Sequence, residues 1–163
     1  MSNDRLVELG TRFEGGAVQH QPITWTVGPL SQSEHAQIHV LYDEAFPGMD
    51  SVLDSLGDHA EVLSAHDEGE LVGYLVATQS GTDRVELWEH VVAHGHRGRG
   101  VGRDLLTHLI NHLPGEDLVV VDPAGLLDGQ RLADYYGHAG FRVAPSGEMQ
   151  ARVTEIGEAL SRV

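Results

Sequence analysis

The chain has no cysteine and no lysine; all ten of its basic residues are arginine. Without cysteine there is no disulfide, no thiolate metal site and no cysteine acyl-enzyme. Without lysine there is no Schiff-base nucleophile, and no G-x-x-x-x-G-K-[ST] phosphate loop can be written. Aromatic residues are scarce, at 6%, and no apolar run approaches the ~18–20 residues that cross a bilayer. Positive charge is short as well. Ten basic residues against 25 acidic ones leave a net charge of −15. Such a surface repels nucleic acid and anionic membrane, and its summed field draws cationic ligands. Met1-Ser2-Asn3-Asp4-Arg5 is not a basic segment leading into an apolar one, so the expected setting is cytoplasmic.

What is present describes a globular protein. The 163 residues are 40% hydrophobic and 21% charged, enough for a single domain over 1–163 with its own core. Residues 1–22 fit an extra strand or an ordered arm. Ile23–Val27 alternates and is β-rich, and Gly28-Pro29 closes it. Ser31 or Ser33 can cap a helix carrying Ile38, Leu41, Tyr42 and Ala45, stopped at Pro47-Gly48. A short helix is predicted over 49–56. Strands follow near 60–65 and 71–79, joined at Asp67-Glu68-Gly69, and another near 84–93. An amphipathic helix runs to about Leu113 with Leu105, Leu106, Leu109 and Ile110 on one face, before the continuous apolar run Leu118–Val121. A helix over 129–138 precedes final strands near 141–143 and 149–154.

The most informative stretch is Val91-Val92-Ala93-His94-Gly95-His96-Arg97-Gly98-Arg99-Gly100-Val101-Gly102. A strand enters a turn of glycine and arginine that opens directly into a helix. Helix N-termini present free N–H groups and the positive end of the macrodipole, and glycine lets an anion approach them. Arg97, Arg99 and Arg103 make a basic island in an otherwise acidic chain. A phosphorylated ligand fits this segment. The dinucleotide pattern G-x-G-x-x-G does not, because Arg103 stands where its third glycine belongs.

Arg97, Gly100 and Gly102 spell R-x-x-G-x-G, which resembles the acetyl-CoA signature of the GCN5-related N-acetyltransferase (GNAT) superfamily. Tyr135-Tyr136-Gly137-His138-Ala139-Gly140-Phe141 resembles the family's later motif, an aromatic-Tyr pair shortly before Gly-Phe. One helix, one strand and a loop separate the two. The resemblance covers residues 23–153. It implies an α/β fold: a GNAT-like mixed, mostly antiparallel central sheet of six to seven strands flanked by about four helices.

The same resemblance implies direct transfer of acetyl from acetyl-CoA to a primary amine, as positioning and proton-transfer chemistry. Tyr136 takes the position of the family's tyrosine, a phenol suited to protonating the departing thiolate; Tyr135 is its alternate. Glu86 is the candidate base, with Glu89, His90 or water as alternatives. Period-two alternation places Glu86, Trp88, His90 and Val92 on one face, unless a bulge shifts the count. Backbone of Val91, Val92 and Ala93 would pair with pantetheine. Arg97, Gly98, Arg99, Gly100, Val101 and Gly102 would receive the diphosphate. A non-catalytic acyl-CoA sensor of the same fold is the other reading.

The acceptor would be a small-molecule or protein amine, cationic on the evidence of the acidic surface. A homodimer is compatible with the resemblance; nucleic acid and membrane are not expected partners. No metal is expected. His108/His112 and His94/His96 have no third ligand in zinc spacing and read as solvent-exposed. Asp43, Glu44, Asp50 and Asp54, on the segment bordering the acceptor side in this family, could bind a cation or form a solvated acidic face, the second being the preferred reading.

Overall fold

The computed structural model describes residues 22–27, 30–122 and 129–162, with backbone alone for 129–132. The expected arm over 1–22 falls outside these residues, Pro22 apart. Seven strands form one sheet in the order β1-β2-β3-β4-β5-β7-β6. They are β1 (Ile23–Val27), β2 (Glu61–Asp67), β3 (Glu70–Gln79), β4 (Arg84–Val92), β5 (Leu118–Val121), β6 (Arg142–Val143) and β7 (Met149–Arg152). Every neighbouring pair is antiparallel except β4 and β5. Among the described residues, five α-helices cover it: α1 (Gln32–Ala45), α2 (Leu53–Leu56), α3 (Val101–Ile110), α4 (Gly129–His138) and α5 (Val153–Ser161).

The two faces of the sheet carry separate apolar cores. On one, α3 and α5 bury Val101, Leu105, Leu106, Leu109, Ile156 and Leu160 against Leu63, Leu75, Val85 and Leu87. On the other, α1 brings Ile38, Leu41, Tyr42 and Phe46 down on Val62, Tyr74, Val76 and Val91. Helix α1 starts where Ser31 Oγ accepts from Glu34 N–H and Glu34 reaches back to Ser31 N–H, a reciprocal cap that satisfies two otherwise orphaned donors.

Several boundaries differ from the sequence reading: α3 ends at Ile110 rather than near Leu113, and β2 runs Glu61–Asp67 rather than 60–65. The short helix begins at Leu53, not at residue 49. The final strand stops at Arg152, and Val153 opens a fifth helix rather than continuing as strand to 154. Val153, Ile156 and Leu160 recur at helical spacing and are buried, and Glu155 Oε1 accepts Arg152 N–H at 2.8 Å as a first-turn cap. Periodicity three to four outweighs the strand preference of the preceding residues.

Candidate active site

Strand β4 is where the site is made. It pairs with β5 from Arg84↔Leu118 to Leu87↔Val121, and there the parallel ladder ends. Opposite, β3 pairs Ala77 with Leu87 and Val76 with Glu89, so Trp88 is one residue too many. This bulge resets the alternation of both side chains and backbone. Before it, Val85 and Leu87 point into the α3/α5 core; after it, Val92 does so and His90 contacts α3 and α4. Glu86 and Glu89 therefore share the α1/α2 face, and the strict alternation that grouped Glu86 with His90 and Val92 is overturned.

The backbone follows the same shift. Ala93 N–H donates to Val72 O at 2.8 Å, and Val91 pairs with Tyr74 in the same ladder phase. Antiparallel alternation then turns the N–H and C=O of His90 and Val92 away from β3, toward the gap left beyond Leu87 and Val121. Of Val91, Val92 and Ala93, only Val92 offers its backbone to that gap. Its carbonyl accepts from Arg97 Nε at 3.2 Å, and the Ala93 carbonyl is taken by His96 N–H at 2.9 Å.

Beneath the gap lies the glycine turn. Gly98 and Gly100 have φ of 80° and 83°, the left-handed region that favours glycine. Gly100 is the N-cap of α3 and supplies no side-chain hydrogen bond to the first turn. Its first amides are thus left to another acceptor, beside the exposed Arg97 and Arg99. A Cβ on Gly102 would stand 3.4 Å from His90 Nε2, which shows how closely α3 approaches β4. Arg103 does not face this turn; its guanidinium donates to Leu160 O at the end of α5.

Tyr136 reaches the gap from α4. Its ring is wholly buried among the α3/α5 core residues, and its hydroxyl is 2.9 Å from His90 Nδ1. His90 Nε2 is 2.9 Å from Gly102 O. A carbonyl only accepts, so Nε2 carries the hydrogen and the neutral ring leaves Nδ1 as acceptor. Burial pushes the His90 pKa down to about 4, against the Gly102 hydrogen bond, so the neutral form holds at pH 7. Tyr136 O–H is therefore the donor. Burial, with Tyr135 beside it, raises the Tyr136 pKa. The Tyr135 ring meets His90 edge-on at 5.8 Å. Its buried hydroxyl has no hydrogen-bond partner among the described residues, and burial pushes its pKa up to about 12.

On the opposite face, Glu86 is half-buried with Arg84 Nε 3.9 Å away. Glu89 is different. Its Oε2 accepts from Ser51 Oγ at 2.7 Å and Val52 N–H at 2.9 Å, and its Oε1 from Tyr74 O–H at 2.8 Å. With both oxygens engaged, it fastens the start of α2 to the sheet. Exposed Trp88 projects at the bulge with Nε1 donating to Thr78 Oγ1 at 2.9 Å. Glu86 and Tyr136 do not meet; they flank the opening from opposite faces. The Tyr136–His90 pairing and the Glu89 tether were beyond sequence reasoning, since both depend on the bulge.

The histidines also depart from expectation. His108 is not solvent-exposed: it is 1% exposed, stacked on His112 at 4.8 Å and beside Trp25 at 5.7 Å. Its apolar flanking position on α3 points inward once β1 and β2 cover that end.

Comparison with known proteins agrees with this architecture. The model of the acetyltransferase (GNAT) family matches residues 28–141. No curated protein matches the sequence. Among solved structures, the chain is similar to the ribosomal-protein-S18-alanine N-acetyltransferase of Escherichia coli, with TM-score 0.65 and 17% identity over 81% of this chain and 94% of that one. It is similar to aminoglycoside 6'-acetyltransferase type Ii, with TM-score 0.64 and 20% identity over 80% and 97%. An aminoglycoside 6'-N-acetyltransferase complexed with coenzyme A gives TM-score 0.63 and 17% identity over 80% and 97%. At these identities the structural likeness speaks for the fold, while the family model spans well over half of the chain. This protein belongs to the GNAT acetyltransferase family.

Proposed function

We propose that the protein transfers the acetyl group of acetyl-CoA directly to a primary amine. One observation carries the reading: the β4/β5 gap opens above a glycine turn whose helix N-cap has no side chain to offer. In this reading the diphosphate rests on the amides of Gly98, Gly100, Val101 and Gly102 beside Arg97 and Arg99. The pantetheine arm runs along β4, where Val92 faces the gap and Val91 and Ala93 hold it in register. Arg97 releases the Val92 carbonyl as the arm enters.

The acceptor approaches from the α1/α2 face. Its neutral nitrogen attacks the thioester carbonyl, the C–S bond breaks, and amide and free thiol form. Glu86 takes the amine proton, directly or through water. Tyr136 gives its phenolic proton to the sulfur by turning its O–H away from His90 Nδ1. His90 itself carries no Nδ1 proton to give. The net charge of −15 favours a cationic acceptor at encounter.

A panel of amines assayed by thiol release from acetyl-CoA tests this. At least one amine should release thiol, and Tyr136→Phe should lower kcat at least about a hundredfold with acetyl-CoA affinity kept. Turnover undiminished in Tyr136→Phe removes Tyr136 from the role. The full burial of Tyr136 and its bond to His90 favour a second reading, a non-catalytic acyl-CoA sensor. That reading predicts tight binding with no amine turned over.

A further inference from the structure

Three ligand-type side chains converge in the α1/α2 layer, away from the β4/β5 gap. His35 and His39 are one helical turn apart on α1, so their rings leave the same face, with centroids 4.5 Å apart. Asp54 reaches them from α2. His35 Nε2 is 2.6 Å from Asp54 Oδ1, and His39 Nε2 is 3.5 Å from Oδ2. One ligand atom from each residue lies within 4.8 Å of the other two. His39 Nε2 is buried and makes no hydrogen bond among the described residues, although its ring is part-exposed.

These distances suit a small tetrahedral ion. Zinc binds imidazole nitrogen and carboxylate oxygen at about 2.0–2.2 Å, so two ligand atoms on it stand roughly 3.3–3.5 Å apart. The His39–Asp54 separation already has that value. The His35–Asp54 separation, to the other carboxylate oxygen, is that of a hydrogen bond, and it widens by about 1 Å when an ion takes its place. Two imidazoles and a carboxylate form a nitrogen/oxygen set, the kind that borderline divalent ions accept without thiolate. The chain has no cysteine to offer instead.

We propose that His35 Nε2, His39 Nε2 and an Asp54 carboxylate oxygen form a three-ligand site for a divalent ion of the zinc type. Three protein ligands leave a fourth position for water or another ligand, and a cavity of about 210 Å³ that His35, Asp54, Leu53 and Asp58 help to line adjoins the cluster. The ion ties α2 to α1. Glu89 already ties the preceding Ser51 and Val52 to β4, so the metal completes a clamp on that corner from its outer side.

The test is direct metal binding to the untagged chain, stripped with a chelator and titrated with Zn²⁺ against a chromophoric competitor. One equivalent should bind, and Zn²⁺ should raise the melting temperature. Asp54→Asn and His39→Ala should each weaken binding about a hundredfold or more, the upper end of what even an outer-shell change costs at a zinc site. Both should lose the melting shift. His112→Ala, from the separate His108/His112 pair, should bind as the wild type does. Asp54 side-chain exposure of 63% keeps Asp54→Asn folded if His39→Ala is not. Co²⁺ in the wild type should give the intense visible bands of four-coordination, absent in Asp54→Asn. The proposal is overturned if Asp54→Asn binds Zn²⁺ as tightly as wild type, if no equivalent binds, or if His112→Ala abolishes binding.

Discussion

Glu86 and Glu89 are three residues apart on one strand, share a face, and have different work. Glu89, itself buried, accepts three hydrogen bonds, from Ser51 Oγ, Val52 N–H and the buried Tyr74 O–H. Hydrogen bonds to an ionised acceptor each contribute about 1.5–3 kcal/mol. Glu89→Ala should therefore lower unfolding free energy by about 3 kcal/mol or more, read from urea denaturation. Glu89→Gln keeps the shape but points an N–H₂ at donors, and should show a smaller loss. Glu86 has only a loose contact with Arg84, so Glu86→Gln should leave the unfolding free energy within about 0.5 kcal/mol of wild type while lowering kcat. If Glu86→Gln turned over at the wild-type rate and Glu89→Gln did not, the base would be Glu89. Neither difference is visible in the sequence, where both are acids in a strand. What separates them is the extra residue at Trp88, which no glycine or proline marks.

Whole elements were easier to read than the faces they present. Helix α4 and strand β1 have the predicted limits, because Gly140 closes one and Gly28-Pro29 follow the other. Helix α5 was missed although Val153, Ile156, Leu160 and the Arg152–Glu155 cap all sit in the sequence; the β-rich residues before it hid the change of period. Close approach between elements is likewise silent in sequence. Gly73 on β3 lies under α3, and a Cβ there would stand 2.8 Å from Val101 Cγ1 and 3.1 Å from Val91 O. Gly73→Ala should cost about 1–3 kcal/mol as overpacking, with the helix that carries the glycine turn displaced. Gly100→Ala acts differently. It forces φ of 83° on a residue with a Cβ, at about 1–2 kcal/mol, and puts a methyl where an anion would meet the amides. Calorimetry with acetyl-CoA should show both variants weakened, and Gly100→Ala should be the weaker binder for the stability it loses.

At the scale of the molecule, two desolvated histidines contribute to the response to acid. Burial pushes the pKa of His90 down to about 4, and that of His108 down to about 4 with His112 adding repulsion. Both rings titrate near 6.5 once the chain unfolds. Between about pH 6.5 and 4 the unfolded chain thus binds more protons than the folded one, and stability falls with pH across that window. At pH 5 the loss relative to pH 8 is about 2 kcal/mol for each ring. The two are separable because only His90 has hydrogen bonds worth keeping. Both ring nitrogens of His108 are buried without a hydrogen-bond partner among the described residues, between Trp25 and His112. Leucine has nearly the same volume and no polar atom to strand. His108→Leu should raise unfolding free energy by about 1 kcal/mol or more at pH 8. Its advantage should grow by about 2 kcal/mol at pH 5. Urea midpoints at the two pH values measure both numbers; an advantage that shrinks toward acid would mean that His108 is charged in the fold, and that an acidic group reaches it.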